Sequence, residues 1–146
     1  MAVYLIPYGL SQFIYGPLSD RIGRRPVIIS GMVIFLIGTF GTLLSSNFHW
    51  FLFATFIQGC GTGCSGAMCR TVPRDSYDGD DLHQANSLIS MGVILSPLIA
   101  PVLGGYLSKH FGWESVYAFL LVFGAVVTIA MMKYFSETLP PEKTSC

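Results

Sequence analysis

The sequence predicts an all-α integral membrane protein with five transmembrane helices, and three observations carry that prediction. The 146-residue chain is 52% hydrophobic and only 11% charged, where globular domains carry about 25% charged residues. Its charges gather in clusters, Asp20 to Arg25, Arg70 to Asp81, Lys109 to Glu114 and Lys133 onward, instead of lining helical faces. The intervals between clusters suit helices that cross a hydrocarbon core of roughly 30 Å, which takes about 20 apolar residues. A soluble bundle would show a polar face recurring with the helical period, and these segments do not.

The first span is read over residues 1–18, which hold no Lys, Arg, Asp or Glu. Tyr4, Tyr8, Gln12 and Tyr15 are spaced by four, four and three along it, and so fall on one helical stripe. Ring faces with polar tips suit flat, lipophilic cations by stacking and cation–π contact. The same tyrosines equally suit helix packing or the membrane interface. After this span comes a clip, residues 19–25, with Asp20, Arg21, Arg24 and Arg25 between two long uncharged stretches. Such a clip holds two spans at an anionic inner leaflet.

After Arg25 the next formal charge is Arg70, too long an interval for one crossing. The chain must turn near Ser45 to Trp50, so spans are expected over 26–46 and 49–70, with Phe48 and Trp50 at headgroup level. Residues 74–81, with four aspartates, read as a solvated connector. A fourth span follows over 84–108, an interfacial turn over 109–114, and a fifth span over 114–134.

Orientation follows from the basic residues. With the clip in the cytoplasm, Arg21, Arg24, Arg25, Arg70, Arg74, Lys133 and Lys143 lie inside, leaving Lys109 alone outside. Met1 then lies outside with no preceding helix to deliver it, so a missing upstream span is expected and the chain reads as a fragment.

Residues Gly16-Pro17-Leu18-Ser19-Asp20-Arg21-Ile22-Gly23-Arg24-Arg25 resemble the G-x-L-x-D-R-x-G-R-[RK] signature of the major facilitator superfamily. A generic positive loop accounts for the arginines but not for the spacing of glycine and aspartate. Ser96-Pro97-Leu98-Ile99-Ala100-Pro101-Val102-Leu103-Gly104-Gly105 is similar to the fifth-helix motif of the drug/proton antiporter branch, with Ser96 and Ala100 in place of glycine. Pro97 and Pro101 remove backbone donors, while Gly104 and Gly105 let a neighbour approach. Gln58, Gly59 and Gly61 match a fourth-helix motif whose arginine is here Thr55, so the proton-coupling role of that arginine does not carry over. Ser136-Glu137-Thr138-Leu139-Pro140 resembles the segment after the sixth helix, with serine for its first proline.

The resemblance covers the whole chain, as the second to sixth helices of a twelve-helix transporter. It implies a partial N-terminal half over 1–139 and the start of a cytoplasmic linker over 140–146. It also implies a cytoplasmic gate at Gly16, Asp20, Arg21, Gly23, Arg24 and Arg25, with Arg70 a candidate partner for Asp20. By the same analogy the first, third and fourth spans face a central cavity, with Tyr8, Gln12, Tyr15, Gln58 and Met91 as candidate contacts. A buried amide more often bonds a neighbouring helix, and methionine more often fills gaps.

The implied function is proton-coupled export of lipophilic drugs across the inner membrane by alternating access. The implied partners are drugs, protons, the bilayer and the remainder of the transporter. Sugar or metabolite transport is the alternative within the superfamily, and a non-transporting truncated product is another. No carboxylate lies within a predicted span, so the proton site is expected elsewhere in the intact protein. Zero net charge leaves no footprint for nucleic acid. No nucleophile with a positioned base suggests an enzyme, and no cofactor or metal is expected. Cys60 and Cys64, one turn apart, read as packing residues.

Overall fold

In the computed structural model, which describes residues 1–135, the chain forms five α-helices. They are α1 (Ala2–Ile22), α2 (Arg24–Leu43), α3 (Phe48–Ser76), α4 (Gly79–Phe111) and α5 (Glu114–Tyr134). The Ser136-to-Pro140 motif and the expected linker over 140–146 lie outside the described residues.

The helices outrun the predicted spans at their polar ends. The expected clip over 19–25 is a single residue, Gly23, whose φ of 112° is open mainly to glycine. Its N–H bonds Ser19 O at 3.1 Å, closing α1, and α2 starts at the next residue. Pro26 then sits in the first turn of α2, where its missing N–H costs nothing. The expected connector over 74–81 is likewise helical except for Tyr77 and Asp78. Arg74 lies in the last turn of α3, and Asp80 and Asp81 in the first turn of α4. Each charge complements the helix dipole at its end, so these polar residues extend helices instead of breaking them.

Helices α2, α4 and α5 are long and apolar enough to cross a membrane. Helices α1 and α3 fall short of that measure because Tyr, Pro, Ser, Gly and Gln dilute their aliphatic content.

Helix α3 lies at the centre, packed on α1 and α2, and α2 packs on α5. Glycine sets how near the backbones come. A Cβ on Gly38 of α2 would stand 2.5 Å from Gln58 N and 2.7 Å from its Cα, and one on Gly61 of α3 would stand 2.7 Å from Gly31 O. On the opposite side of α3, a Cβ on Gly59 would lie 2.6 Å from Tyr4 O in α1. Without a hydrophobic force between helices in lipid, such close approach is what holds them together. Val27, Ile28, Cys64 and Met68 form the core between α2 and α3, with the Cys64 thiol donating to Val27 O at 3.1 Å. Thr39, Thr42, Thr62 and Thr128 donate to carbonyls one turn back, so their hydroxyls are satisfied inside the bundle.

Helix α4 differs. It touches α3 and α5 but contributes no buried residue. Added Cβ atoms at Gly16, Gly104 and Gly105 would meet nothing within 4 Å, so these glycines mediate no close approach among the described residues.

Candidate functional site

At the arginine-bearing end, Arg24 gathers the ends of three helices. Its side chain is 7% exposed. Nη2 meets Asp20 Oδ1 at 2.7 Å, one turn back across Gly23, and Nε donates to Asp75 Oδ2 of α3 at 2.8 Å. Nη1 donates to Ser19 Oγ, whose hydroxyl in turn donates to Gly16 O at 2.8 Å. A planar guanidinium can serve three acceptors at once, and a lysine could not hold that geometry. Burial of the charge is tolerable because each face of the fork is bonded. Beside it, Arg25 Nη2 donates to Met132 O at 2.8 Å and ties in α5.

This geometry corrects one expected pairing. Among the described residues Asp20 pairs with Arg24 and no ion pair joins it to Arg70. Arg70 lies exposed on α3, one turn before Arg74, and Arg21 is exposed as well. Asp75 and Ser19 were not legible as members of the cluster. Asp75 is 51 residues from Arg24, and its only signal is an aspartate beside an arginine at the end of a span.

Above this junction a groove of about 760 Å³ runs between α1, α3 and α4. Tyr8, Arg70, Arg74, Asn86 and Ser90 supply its polar groups, and Ile89, Val93 and Ile94 its apolar side. A second hollow of about 500 Å³ shares Tyr8, Gly66 and Arg70 and adds Gln12 and Phe13. Tyr8 stacks on Tyr4, with ring centroids 6.1 Å apart and planes at 10°. Gly66 makes room for the Tyr8 and Gln12 tips, since a Cβ there would lie 2.8 Å from each.

Three expected cavity residues do not line these hollows. Tyr15, two turns further along α1 than Tyr8, packs against the Val27–Met68 core. Gln58 is 6% exposed and donates from Nε2 to Thr39 Oγ1 at 3.1 Å, so its amide belongs to the α2–α3 contact. Met91 is exposed on α4 and lines neither hollow. The charge on the groove wall is also wrong for the flat cations suggested by the tyrosine stripe: Arg70 and Arg74 line it and no carboxylate does.

In α4, Ser96, Pro97, Ala100, Pro101, Gly104 and Gly105 lie within one continuous helix. Each proline leaves a carbonyl one turn back without its helical donor. At the far end of the bundle Phe51, Trp113 and Tyr117 make an aromatic cluster, with Phe51–Trp113 centroids 6.2 Å apart and Phe51–Tyr117 6.0 Å. The turns at 44–47 and 112–113 therefore share one end, with Lys109 near it, while the arginine junction occupies the other.

The chain is 48% identical over 140 residues to multidrug resistance protein D of Escherichia coli (strain K12), covering 96% of this chain and 36% of that protein. It is 29% identical to a chloramphenicol resistance protein of Pseudomonas aeruginosa, over 94% of this chain and 33% of that one. It is also 29% identical to the multidrug resistance protein MdtL of Shewanella sp. (strain ANA-3), over 98% of this chain and 39% of the relative. The chain thus spans little more than a third of the length of these curated relatives. The sequence profile of the Major Facilitator Superfamily matches residues 1–145. With long apolar helices, an arginine junction of the G-x-L-x-D-R-x-G-R type and a profile match along nearly its whole length, this multi-pass membrane chain belongs to the Major Facilitator Superfamily.

Proposed function

We propose that this chain is part of a proton-coupled exporter of lipophilic drugs that works by alternating access in the inner membrane. All five helices cross the bilayer in this reading, α1 and α3 included, with the arginine junction in the cytoplasm. They form most of an N-terminal six-helix half. Family membership and the names of relatives, two of them multidrug resistance proteins, support transport in preference to catalysis. The observation that carries the reading is the groove between α1, α3 and α4, where apolar Leu82, Ile89, Val93 and Ile94 are combined with Tyr8, Asn86, Ser90 and the cationic Arg70 and Arg74.

Gly16, Asp20, Arg21, Gly23, Arg24 and Arg25 act as the cytoplasmic gate in this reading, with Asp75 joining through Arg24. The exposed face of α4, which carries the Pro97–Gly105 motif, meets the remainder of the transporter. The carboxylates of α1 to α5 sit at helix ends, Asp20, Asp75, Asp80, Asp81 and Glu114. The proton-carrying group therefore belongs to that remainder.

Dye efflux from a drug-hypersensitive host carrying the full-length gene tests the proposal. Efflux should stop when the proton gradient is collapsed, and efflux that continues unchanged removes proton coupling. Asp20→Asn should abolish most transport while the protein still reaches the membrane. Full transport by that variant removes the gate role. Reporter fusions should place Gly23 on the cytoplasmic side.

A further inference from the structure

Sulfur atoms from three helices surround one hollow. Met32 of α2, Met68 and Cys69 of α3 and Met131 of α5 line a recess of about 300 Å³. Three of the chain's six methionines meet there, from positions so far apart that no spacing in the sequence marks them. Among the described residues Ser65 is the only other side chain of the wall with a polar atom.

Gap filling is the ordinary work of methionine. Here the methionines border an open volume instead of closing it, and aliphatic side chains line it equally well beside them, as Ile28, Val72 and Val127 do. What Met32, Met68, Cys69 and Met131 share, and those neighbours lack, is a soft donor atom. Their burial is graded. Met68 is buried, Met32 and Met131 pack half-buried against the same core, and Cys69 is exposed. The thioethers are thus held inside while the thiol stands at the rim, where it also borders the groove between α1, α3 and α4.

This donor set selects its ion. Thioether and thiolate sulfur favour soft cations such as Cu(I), whereas hard cations demand carboxylate or carbonyl oxygen. An uncompensated charge in apolar surroundings is costly. One thiolate with one monovalent cation is neutral, and three uncharged thioethers leave it so. Among the described residues no group of three His, Cys, Asp or Glu stands together to hold a harder metal.

We propose that Met32, Met68, Cys69 and Met131 form a binding site for one soft monovalent cation with the chemistry of Cu(I) and Ag(I). As the bond from Cys69 Sγ to the metal forms, the thiol proton leaves to solvent through the groove. The three thioethers complete the shell with lone pairs, and no electron changes hands. The bound ion joins α2, α3 and α5 about two turns along α2 from Arg25. The site does not depend on the export reading.

Silver ion is the probe, since it has this chemistry without a redox step. The protein carries methyl-labelled methionine in nanodiscs and chloride-free buffer, with signals assigned by single Met→Leu variants. On titration the methyl signals of Met32, Met68 and Met131 should shift together and saturate with one ion. They should move in step with the loss of Cys69 alkylation by N-ethylmaleimide, while Met91 and Met132, exposed elsewhere, hold still. Met32→Leu with Met131→Leu nearly conserves volume, so the metal-free Met68 signal should stay in place. The glutathione concentration that strips silver from this variant should fall at least about tenfold. Loss of thiol labelling without movement of the three methyls means binding to thiols alone and overturns the site. Equal shifts at Met91 and Met132, or silver retained as firmly by the double variant, overturn it too. The same methyl shifts with zinc ion would overturn the selectivity for a soft monovalent cation.

Discussion

Helices α3 and α4 carry similar sequence devices and use them differently. Both have glycines and internal proline, and both exceed the length needed to cross a bilayer. In α3 the glycines meet backbone from two sides: Gly61 faces Gly31 of α2, and Gly59 faces Tyr4 of α1. In α4, Gly92, Gly104 and Gly105 meet nothing within 4 Å and no residue is buried. A small residue allows close approach, but contact follows only where the opposite helix also presents bare backbone. Glycine spacing is therefore permission to pack, and the facing surface decides whether packing occurs.

The largest break in this contrast is expected at the centre of α3. Gly61→Leu would drive a branched side chain into the Gly31 and Phe35 backbone, and α2 would have to move away. A loss of roughly 3 kcal/mol or more is expected from such overpacking, read as an earlier midpoint in unfolding by dodecyl sulfate titration. A midpoint within error of the parent would mean that α2 and α3 do not pack through Gly61.

Next in size is Arg24→Ala, which leaves Asp20 and Asp75 without their shared cation and Ser19 without its donor. Removing one partner of a buried pair costs about 3–5 kcal/mol. Asp20 is 64% exposed and regains water, so about 2 kcal/mol is the expected loss. Arg24→Lys should recover only part of it, since an ammonium lacks the fork. Full recovery by lysine would show that charge alone matters at this junction.

Gln58→Leu should cost about 1 kcal/mol or less, the usual size of an interhelical side-chain hydrogen bond in a membrane. A double-mutant cycle with Thr39→Val isolates the term, and strict additivity would mean the 3.1 Å bond contributes nothing. The smallest effect belongs to α4. Gly104→Ala should leave the stability of this chain within about 0.5 kcal/mol, as substitutions away from packed sites do. A large loss there would reveal a partner surface on α4.

Much of this contrast could not be read from sequence. Charge clustering located the junction of α1 and α2 and the apolar stretches, because the cost of placing ions in hydrocarbon is local and additive along a chain. The same pattern misjudged where helices end. Hydropathy measures the membrane, whereas Arg74, Asp80 and Asp81 stay helical beyond it by matching helix dipoles. Partners across long separations were hidden as well. Nothing near Arg24 in the chain points to Asp75, and Gln58 looks as fit for a cavity as for Thr39. Periodicity placed Tyr4, Tyr8, Gln12 and Tyr15 on one stripe, but the period does not say which neighbour covers each height of that stripe, and Tyr15 meets the core.

The one-residue joint at Gly23 limits what the bundle can do mechanically. Two helices linked by so short a tether, with Arg24 clasping the foot of a third, have little freedom to slide or swing independently at that end. A displacement imposed on α1 is handed to α2 and α3 almost undiminished, so this corner behaves as a solid wedge.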